Sequence, residues 1–231
     1  MKILEDKNQL EHYIKKYEMD NLFQIDIKEH MQLISFDEGE NILRKGERIE
    51  YFYFLVEGKI KVYTIVENGR VLLFHFYEPL NIIGDAEFFE DDITRCNIQA
   101  ITETICIAIP LSIIKDKTYN DINFIRFLCK KLSEKFLNYT IFSSVNILYP
   151  LENRLASYIL AMSLEIKDSY ETIIYIDKLT EIADLLGASY RHLLRTIKKL
   201  VDKNIIKKEE DSIIILDKKR LQELAKEPYK S

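Results

Sequence analysis

The feature that most constrains this chain is a change of rhythm at Pro110. Before it, five of the six glycines fall within residues 39–84. Between and beyond them lie short runs rich in aromatic and β-branched residues: YFYFLV (51–56), KIKVYTIV (59–66), RVLLFHFY (70–77) and IQAITETICIAI (98–109). Closely spaced glycines between β-forming runs mark repeated chain reversal, because glycine supplies positive φ at tight turns. Asn68-Gly69 between two such runs is a hairpin signal, since both residues tolerate a type I′ turn. Residues 30–110 therefore predict an antiparallel β-barrel or roll.

After Pro110 the apolar period becomes 3.6. From Asp121 to Ser144 there is no Gly or Pro, and Ile122, Ile125, Leu128, Leu132, Phe136 and Tyr139 recur at steps of three and four. The spacing predicts a helix of about 24 residues, roughly 36 Å long. That exceeds what one small roll can cover, so these six residues are expected to pack on a second copy of the same helix. Tyr149-Pro150 ends or kinks it and marks a domain boundary. Three parts follow: a roll with a short N-terminal helix (1–115), a dimerisation helix (116–149) and a C-terminal domain (150–231). The fold class is α+β.

In the C-terminal part, LENRLASYILAMSLE (151–165) predicts a second amphipathic helix, and a polar break (KDSYET, 167–172) leads to a short strand, IIYI. Asp177 can then cap a short helix with an inner face of Leu179, Ile182, Ala183 and Leu186. Gly187 supplies a turn, and Ser189 can cap the helix that follows. This spacing is that of a helix-turn-helix. At about 100° per residue, Arg195 and Lys198 lie within about 40° of Arg191, while Leu193, Ile197 and Leu200 lie on the opposite side. A groove-reading helix needs opposed faces, one to anchor it and one to reach base edges and phosphates. NIIKK and SIIIL, flanking the polar KEED, complete a winged helix-turn-helix.

Charge agrees with this reading. The formal net charge is −5, yet Lys178–Lys208 holds eight Lys and Arg against three acids. A local basic patch on an acidic chain points to a nucleic-acid contact. At 47% hydrophobic and 31% charged, with apolar runs short or interrupted, the chain predicts a soluble protein with no membrane partner. The N-terminus lacks the apolar core of a signal peptide, so the expected location is cytoplasmic. Cys96, Cys106 and Cys129 form no CxxC spacing and are expected to be reduced thiols. The roll offers one interior histidine, His75, and no HxH pattern, which disfavours a metal-dependent enzyme.

The segments FDEGENILRKGE (36–47), YFYFLVEGKIKVY (51–63), IIGDAEFFEDD (82–92) and LTEIADLLGASYRHLLRTIKKL (179–200), in this order, resemble the CRP/FNR family of bacterial transcription factors. NGRV (68–71) and SYRHLL (189–194) are similar to its YeiL type. The resemblance covers about residues 20–220. It implies a homodimer on a palindromic double-stranded DNA operator, with RNA polymerase as a further partner. The family's reading helix often begins Ser-Arg-Glu-Thr and continues to another Arg. Ser189 and Arg195 match, while Tyr190 and Arg191 replace the Arg and Glu; with His192 and Lys198 these are the expected DNA-binding residues. An arginine cannot accept from cytosine N4 as a carboxylate does, so the operator is expected to depart from the family's usual one.

Cyclic-nucleotide members carry a cassette around Gly-Glu-(Leu/Ala), followed by a phosphate-binding Arg. Here Gly84, Asp85 and Ala86 precede Thr94, Arg95 and Cys96. Arg95 takes the phosphate-binding place when counted from the glycine, and Thr94 takes it when counted back from the next strand. Asp85, Glu87, Glu90, Asp91 and Asp92 crowd this cassette against one Arg, which disfavours a cyclic nucleotide. No cysteine precedes Cys96, so the family's N-terminal iron–sulfur cluster is not expected, and a lone His75 gives little reason to expect haem. The expectation is a DNA-binding regulator gated by an effector or redox signal in the roll. The alternative is an ungated binder whose sensor is vestigial.

Overall fold

The computed structural model describes residues 1–67, 69, 71–165, 172–175 and 179–225. By contacts the chain divides into two compact units, one of Met1–Thr64 with Phe76–Leu137, the other of Ile65–His75 with the chain from Asn138 on. The roll's elements run β1 (Lys2–Leu4), α1 (Lys7–Lys16), β2 (Gln32–Phe36), β3 (Asn41–Leu43), β4 (Tyr51–Glu57), β5 (Ile60–Ile65), β6 (Val71–Tyr77), β7 (Asn81–Ile83), α2 (Asp85–Phe89), β8 (Asn97–Ala100), β9 (Thr104–Pro110) and α3 (Leu111–Thr118). One sheet has the order β1-β2-β9-β4-β7, the other β3-β8-β5-β6. The registered pairs are antiparallel, as the roll requires.

The run IQAITETICIAI is not continuous: β8 belongs to one sheet and β9 to the other. The chain crosses between them at Ile101–Glu103, where Lys59 O accepts from Ile101 N at 2.7 Å. A side chain on Gly58 (φ +88°) would place its Cβ 2.4 Å from Glu103 O, so the crossing requires glycine there. Gly69 has φ +79°, and β5 and β6 are sheet neighbours; Asn68, the other half of the hairpin signal, lies outside the described residues. The β1 strand, which pairs Lys2–Leu4 with Leu33–Ser35, went unforeseen. Three residues are too few to show a period.

The long helix α4 (Ile122–Leu148) has 27 residues and ends just before Tyr149-Pro150. Asp121 caps it, with Oδ1 accepting from Asn123 N and Phe124 N at 3.0 and 3.2 Å and Oδ2 accepting from Gln24 N at 2.6 Å. Its first turns enter the roll's aromatic core: Phe124 stacks on Phe23 and meets Phe52 and Phe88 edge-on, and Phe127 stacks on Phe54. Each such ring contributes about 1.5–3 kcal/mol by leaving water, and each pair about 0.5–1.5 kcal/mol more. α4 thus begins as part of the roll.

The C-terminal elements are α5 (Leu151–Met162), β10 (Leu164–Glu165), β11 (Thr172–Tyr175), α6 (Leu179–Leu185), α7 (Tyr190–Asp202), β12 (Ile206–Lys208), β13 (Ser212–Ile215) and α8 (Lys218–Ala225). The helix expected over 151–165 stops three residues early, because Ser163 turns extended and Leu164–Glu165 pair with Ile173 and Thr172. The wing hairpin β12–β13 joins these strands in a four-stranded sheet of order β10-β11-β13-β12. α8 was not foreseen. It packs on α5, where Asn153 donates to Leu224 O at 2.6 Å and Ser157 to Ala225 O at 3.2 Å. Asp177, the expected cap of α6, and Ile176, the end of the expected strand, lie outside the described residues, as does most of the polar break.

Candidate nucleic-acid interface and sensor cassette

The two helices α6 and α7 meet across Leu186–Ser189. Gly187 takes φ +60°, and Ala188 N returns to Ala183 O at 2.8 Å. Ala183 is 2% exposed, small enough for α7 to cross closely. Ser189 accepts from His192 N at 3.3 Å and starts α7. On α7 the buried residues are Leu193, Thr196, Ile197 and Leu200, whereas Tyr190, Arg191, His192, Arg195 and Lys198 are exposed. The apolar stripe seats the helix, which leaves the opposite face to water.

Not all of the basic patch is available. Glu152, at the start of α5, bonds Lys199 and pairs with Lys203 at 2.7 Å. Burial pushes the Glu152 carboxyl up, but the two lysine hydrogen bonds outweigh it and hold the group below the usual range. No acid of the described chain pairs with Arg191, Arg195 or Lys198. A cleft of 620 Å³ between α5 and α7 is lined by Arg154, Ser189, His192, Arg195 and Lys199. Arg154 was not singled out from the sequence. It donates to Leu186 O, the last carbonyl before the turn, and its buried Nε has no partner.

The predicted seam on α4 divides. Phe136 is 68% exposed, and Ile122 and Tyr139 are 47% exposed, but Leu128 is fully buried in its own chain and Ile125 and Leu132 are half-buried. Leu128 therefore leaves the seam, because the face it shares with Phe124 turns into the roll. Leu137 and Ile141, which the spacing did not select, are exposed instead.

The cassette is built differently from the expectation. Gly84 (φ +98°) begins α2 and Asp85 is buried, while Ala86 is exposed. Both candidates for the phosphate-binding place have partners within the chain. Thr94 is buried and bonded through its hydroxyl to Arg44 O and through its amide to Glu47 O. Arg95 is exposed and holds both oxygens of Asp91 at 2.9 and 2.8 Å.

Asp85 is met instead by Lys135 of α4, whose Nζ donates to both carboxylate oxygens and to Ile82 O, each at 2.8 Å. Nζ also lies 5.0 Å from the centre of the Tyr77 ring. Burial opposes the lysine's charge, but Asp85 more than compensates and its pKa stays raised. Burial and the neighbouring Glu87 push the Cys96 thiol up to about 11, which leaves it protonated and a poor nucleophile. The structure brings Asp85, Cys96, Tyr77, Glu87 and Lys135 together, and neither Tyr77 nor Lys135 was predicted. Lys135 carried no signal, because nothing in the spacing of a helix tells which strand a lysine will meet.

His75 is buried on β6. Among the described residues no group of three His, Cys, Asp or Glu converges as metal ligands, and no helix is long and apolar enough to cross a membrane.

Comparison with known proteins agrees with both regions. The cyclic nucleotide-binding domain family matches residues 33–118, and the Crp-like helix-turn-helix domain matches residues 153–224. The regulatory protein YeiL of Escherichia coli O157:H7 is 32% identical over 205 residues, spanning 89% of this chain and 90% of the relative. A CRP-like cAMP-activated global transcriptional regulator of Mycobacterium tuberculosis is 23% identical over 87% of this chain and 91% of its own. Among solved structures, a CRP-family regulator from Thermus thermophilus superposes with a TM-score of 0.71 at 18% identity, over 85% of this chain and 98% of its own. With a roll, a long helix and a winged helix-turn-helix in this order, and a relative this similar along nearly its whole length, the chain belongs to the CRP/FNR family of transcriptional regulators.

Proposed function

We propose that this regulator acts as a cytoplasmic homodimer on a palindromic operator and that a signal received in the roll changes its affinity for DNA. In this reading residues 1–115 receive the signal, 116–149 join two copies, and 150–231 read DNA. Ile122, Phe136 and Tyr139, with Leu137 and Ile141, form the helix face that a second copy covers. Two α7 helices then enter successive major grooves about 34–36 Å apart. Ser189, Tyr190, Arg191, His192, Arg195 and Lys198 face the DNA, and RNA polymerase is a further partner. The role is regulatory binding, not catalysis.

The observation that carries the gate is the Lys135–Asp85 ion pair. It ties the cassette to α4, so a change at the cassette alters the helix that precedes the DNA-binding domain in the chain. An operator selected from random DNA and followed by fluorescence anisotropy provides the test. Asp85→Asn with Lys135→Met, far in sequence from the reading helix, is expected to shift operator affinity. Unchanged affinity at the same salt would favour the ungated reading, in which the roll only supports the dimer.

A further inference from the structure

The helix α7 has three sides. A buried stripe seats it, an exposed face carries Arg191 and Lys198, and a flank lies between the two. On that flank, about 40–100° round the axis from Arg191, stand Arg195, Lys199 and His192. The same three residues line the 620 Å³ cleft against α5, where Arg154 forms part of the other wall. The lining holds three side-chain cations, Arg154, Arg195 and Lys199, against one carboxylate. That carboxylate, Glu152, is already bonded to Lys199 and Lys203.

Arg154 is the cation with donors to spare. Its Nη1 donates to Leu186 O in the turn before α7. A Cβ on Gly187 would stand 3.8 Å from the same atom, so the guanidinium lies against that turn. Nε is buried without a partner, and no described group accepts from Nη2. Nε–H and the Nη2–H beside it are the parallel pair of donors that grips an oxyanion side-on. A buried donor left unbonded destabilises the fold, and an oxyanion on this edge removes that cost.

A helix about 10–12 Å across fills a major groove about 12 Å wide, so its flanks face the strands that border the groove. We infer that the cleft between α5 and α7 receives one backbone phosphate of the operator, held side-on by Nε and Nη2 of Arg154. This rests on the reading of α7 as the helix that enters DNA, and it adds α5 to the interface. Arg154 then joins α5, the turn at Leu186 and the DNA strand through one group, which sets how α7 lies in the groove. A phosphate contact carries no base preference, so Arg154 positions the reader while Arg191 and Arg195 choose the sequence.

The test replaces single phosphates of the selected operator by neutral methylphosphonates and follows binding of the full chain by anisotropy. One such replacement beside each half-site is expected to weaken the parent about tenfold, the worth of roughly one charge-assisted hydrogen bond. It should cost Arg154→Ala nothing further, because the contact is already gone. Arg154→Lys, which keeps the charge without the paired donors, is expected to fall between the two. On the unmodified operator Arg154→Ala should bind about tenfold more weakly, equally for matched and mismatched sequences, with a salt slope smaller by about one. If Arg154 only supports the turn, every methylphosphonate penalty stays as large in the variants as in the parent, and that result overturns the inference. So does an Arg154-dependent rise in Tm with millimolar inorganic phosphate when no operator phosphate couples to Arg154, since the cleft then takes a free anion. Arg191→Ala with Arg195→Ala separates the two readings. Binding by that double variant as tight as the parent's means that α7 is not the reader; a loss there with no phosphate coupled to Arg154 removes the phosphate site alone.

Discussion

The exposed face of α7 and the cassette beside α4 both depend on charge, and they handle it in opposite ways. On α7, Arg191, Arg195 and Lys198 stand in water with no described acid to hold them, while Glu152 restrains Lys199 and Lys203 further along. In the cassette, Asp85 and Lys135 are withdrawn from water and bonded to each other, with side chains 9% and 16% exposed. The first arrangement costs the fold little and keeps its cations for a polyanion. The second makes the fold itself depend on the pairing, so a disturbance there is felt by α4. Substitutions in the two regions should therefore separate: folding without binding in one, binding through folding in the other.

The largest effect is expected in the cassette. Lys135→Met leaves Asp85 buried without a counterion, and such a change destabilises by about 3–5 kcal/mol. Chemical denaturation of the single variant, beside Asp85→Asn with Lys135→Met, checks the cause. The double variant should recover most of the loss, since it removes both charges together. If the single variant is as stable as the parent, the pair does not tie α4 to the roll.

On α7 the order of effects reverses. Arg191→Ala with Arg195→Ala should leave Tm within about a degree, because both side chains are exposed, and should weaken operator binding about 100-fold, from about 1–3 kcal/mol for each lost contact. Equal binding by the double variant at the same salt would remove α7 as the reader. Ser189→Ala removes the acceptor for His192 N and should cost about 1 kcal/mol of stability. It lies between the other two cases, as a fold effect confined to the reading helix.

The two regions also differ in how legible they were. The opposed faces of α7, its Ser189 cap and the Gly187 turn follow from period and local chemistry, which act within one or two helical turns of a residue. The same local rule failed on α4: period three-and-four selects Leu128 together with Phe136, yet the roll covers one and not the other. Which face of α4 stays exposed depends on where the roll ends along it, and that is set by aromatic partners such as Phe52 and Phe88, more than 30 residues away. The cassette was legible as a position, but the partner of its buried acid was not. Counting acids gave the expectation that an anion is disfavoured, and Lys135, 50 residues from Asp85, supplies a cation that no local count includes.

Two glutamates provide the finest test of the contrast, because their stability effects run in opposite directions with pH. Both start from the usual value of 4.5. The Glu87 carboxyl is raised by burial, so above pH 4.5 the unfolded chain ionises first and the folded protein loses relative stability until pH passes the raised value. The Glu152 carboxyl is lowered on balance by Lys199 and Lys203, so its contribution is present above pH 4.5 and is lost as pH falls through the lowered value. Its two lysines are 56% and 39% exposed, and solvent screening limits the contribution to less than about 1 kcal/mol. Tm followed from pH 3 to pH 7 should thus show Glu87→Gln gaining on the parent as pH rises, and Glu152→Gln falling behind it over the same range. Glu152→Gln should also release Lys199 and Lys203, making the salt dependence of operator binding steeper if either lysine then meets a phosphate. Parallel pH profiles for the two variants would mean that the cassette and the reader do not treat charge differently after all.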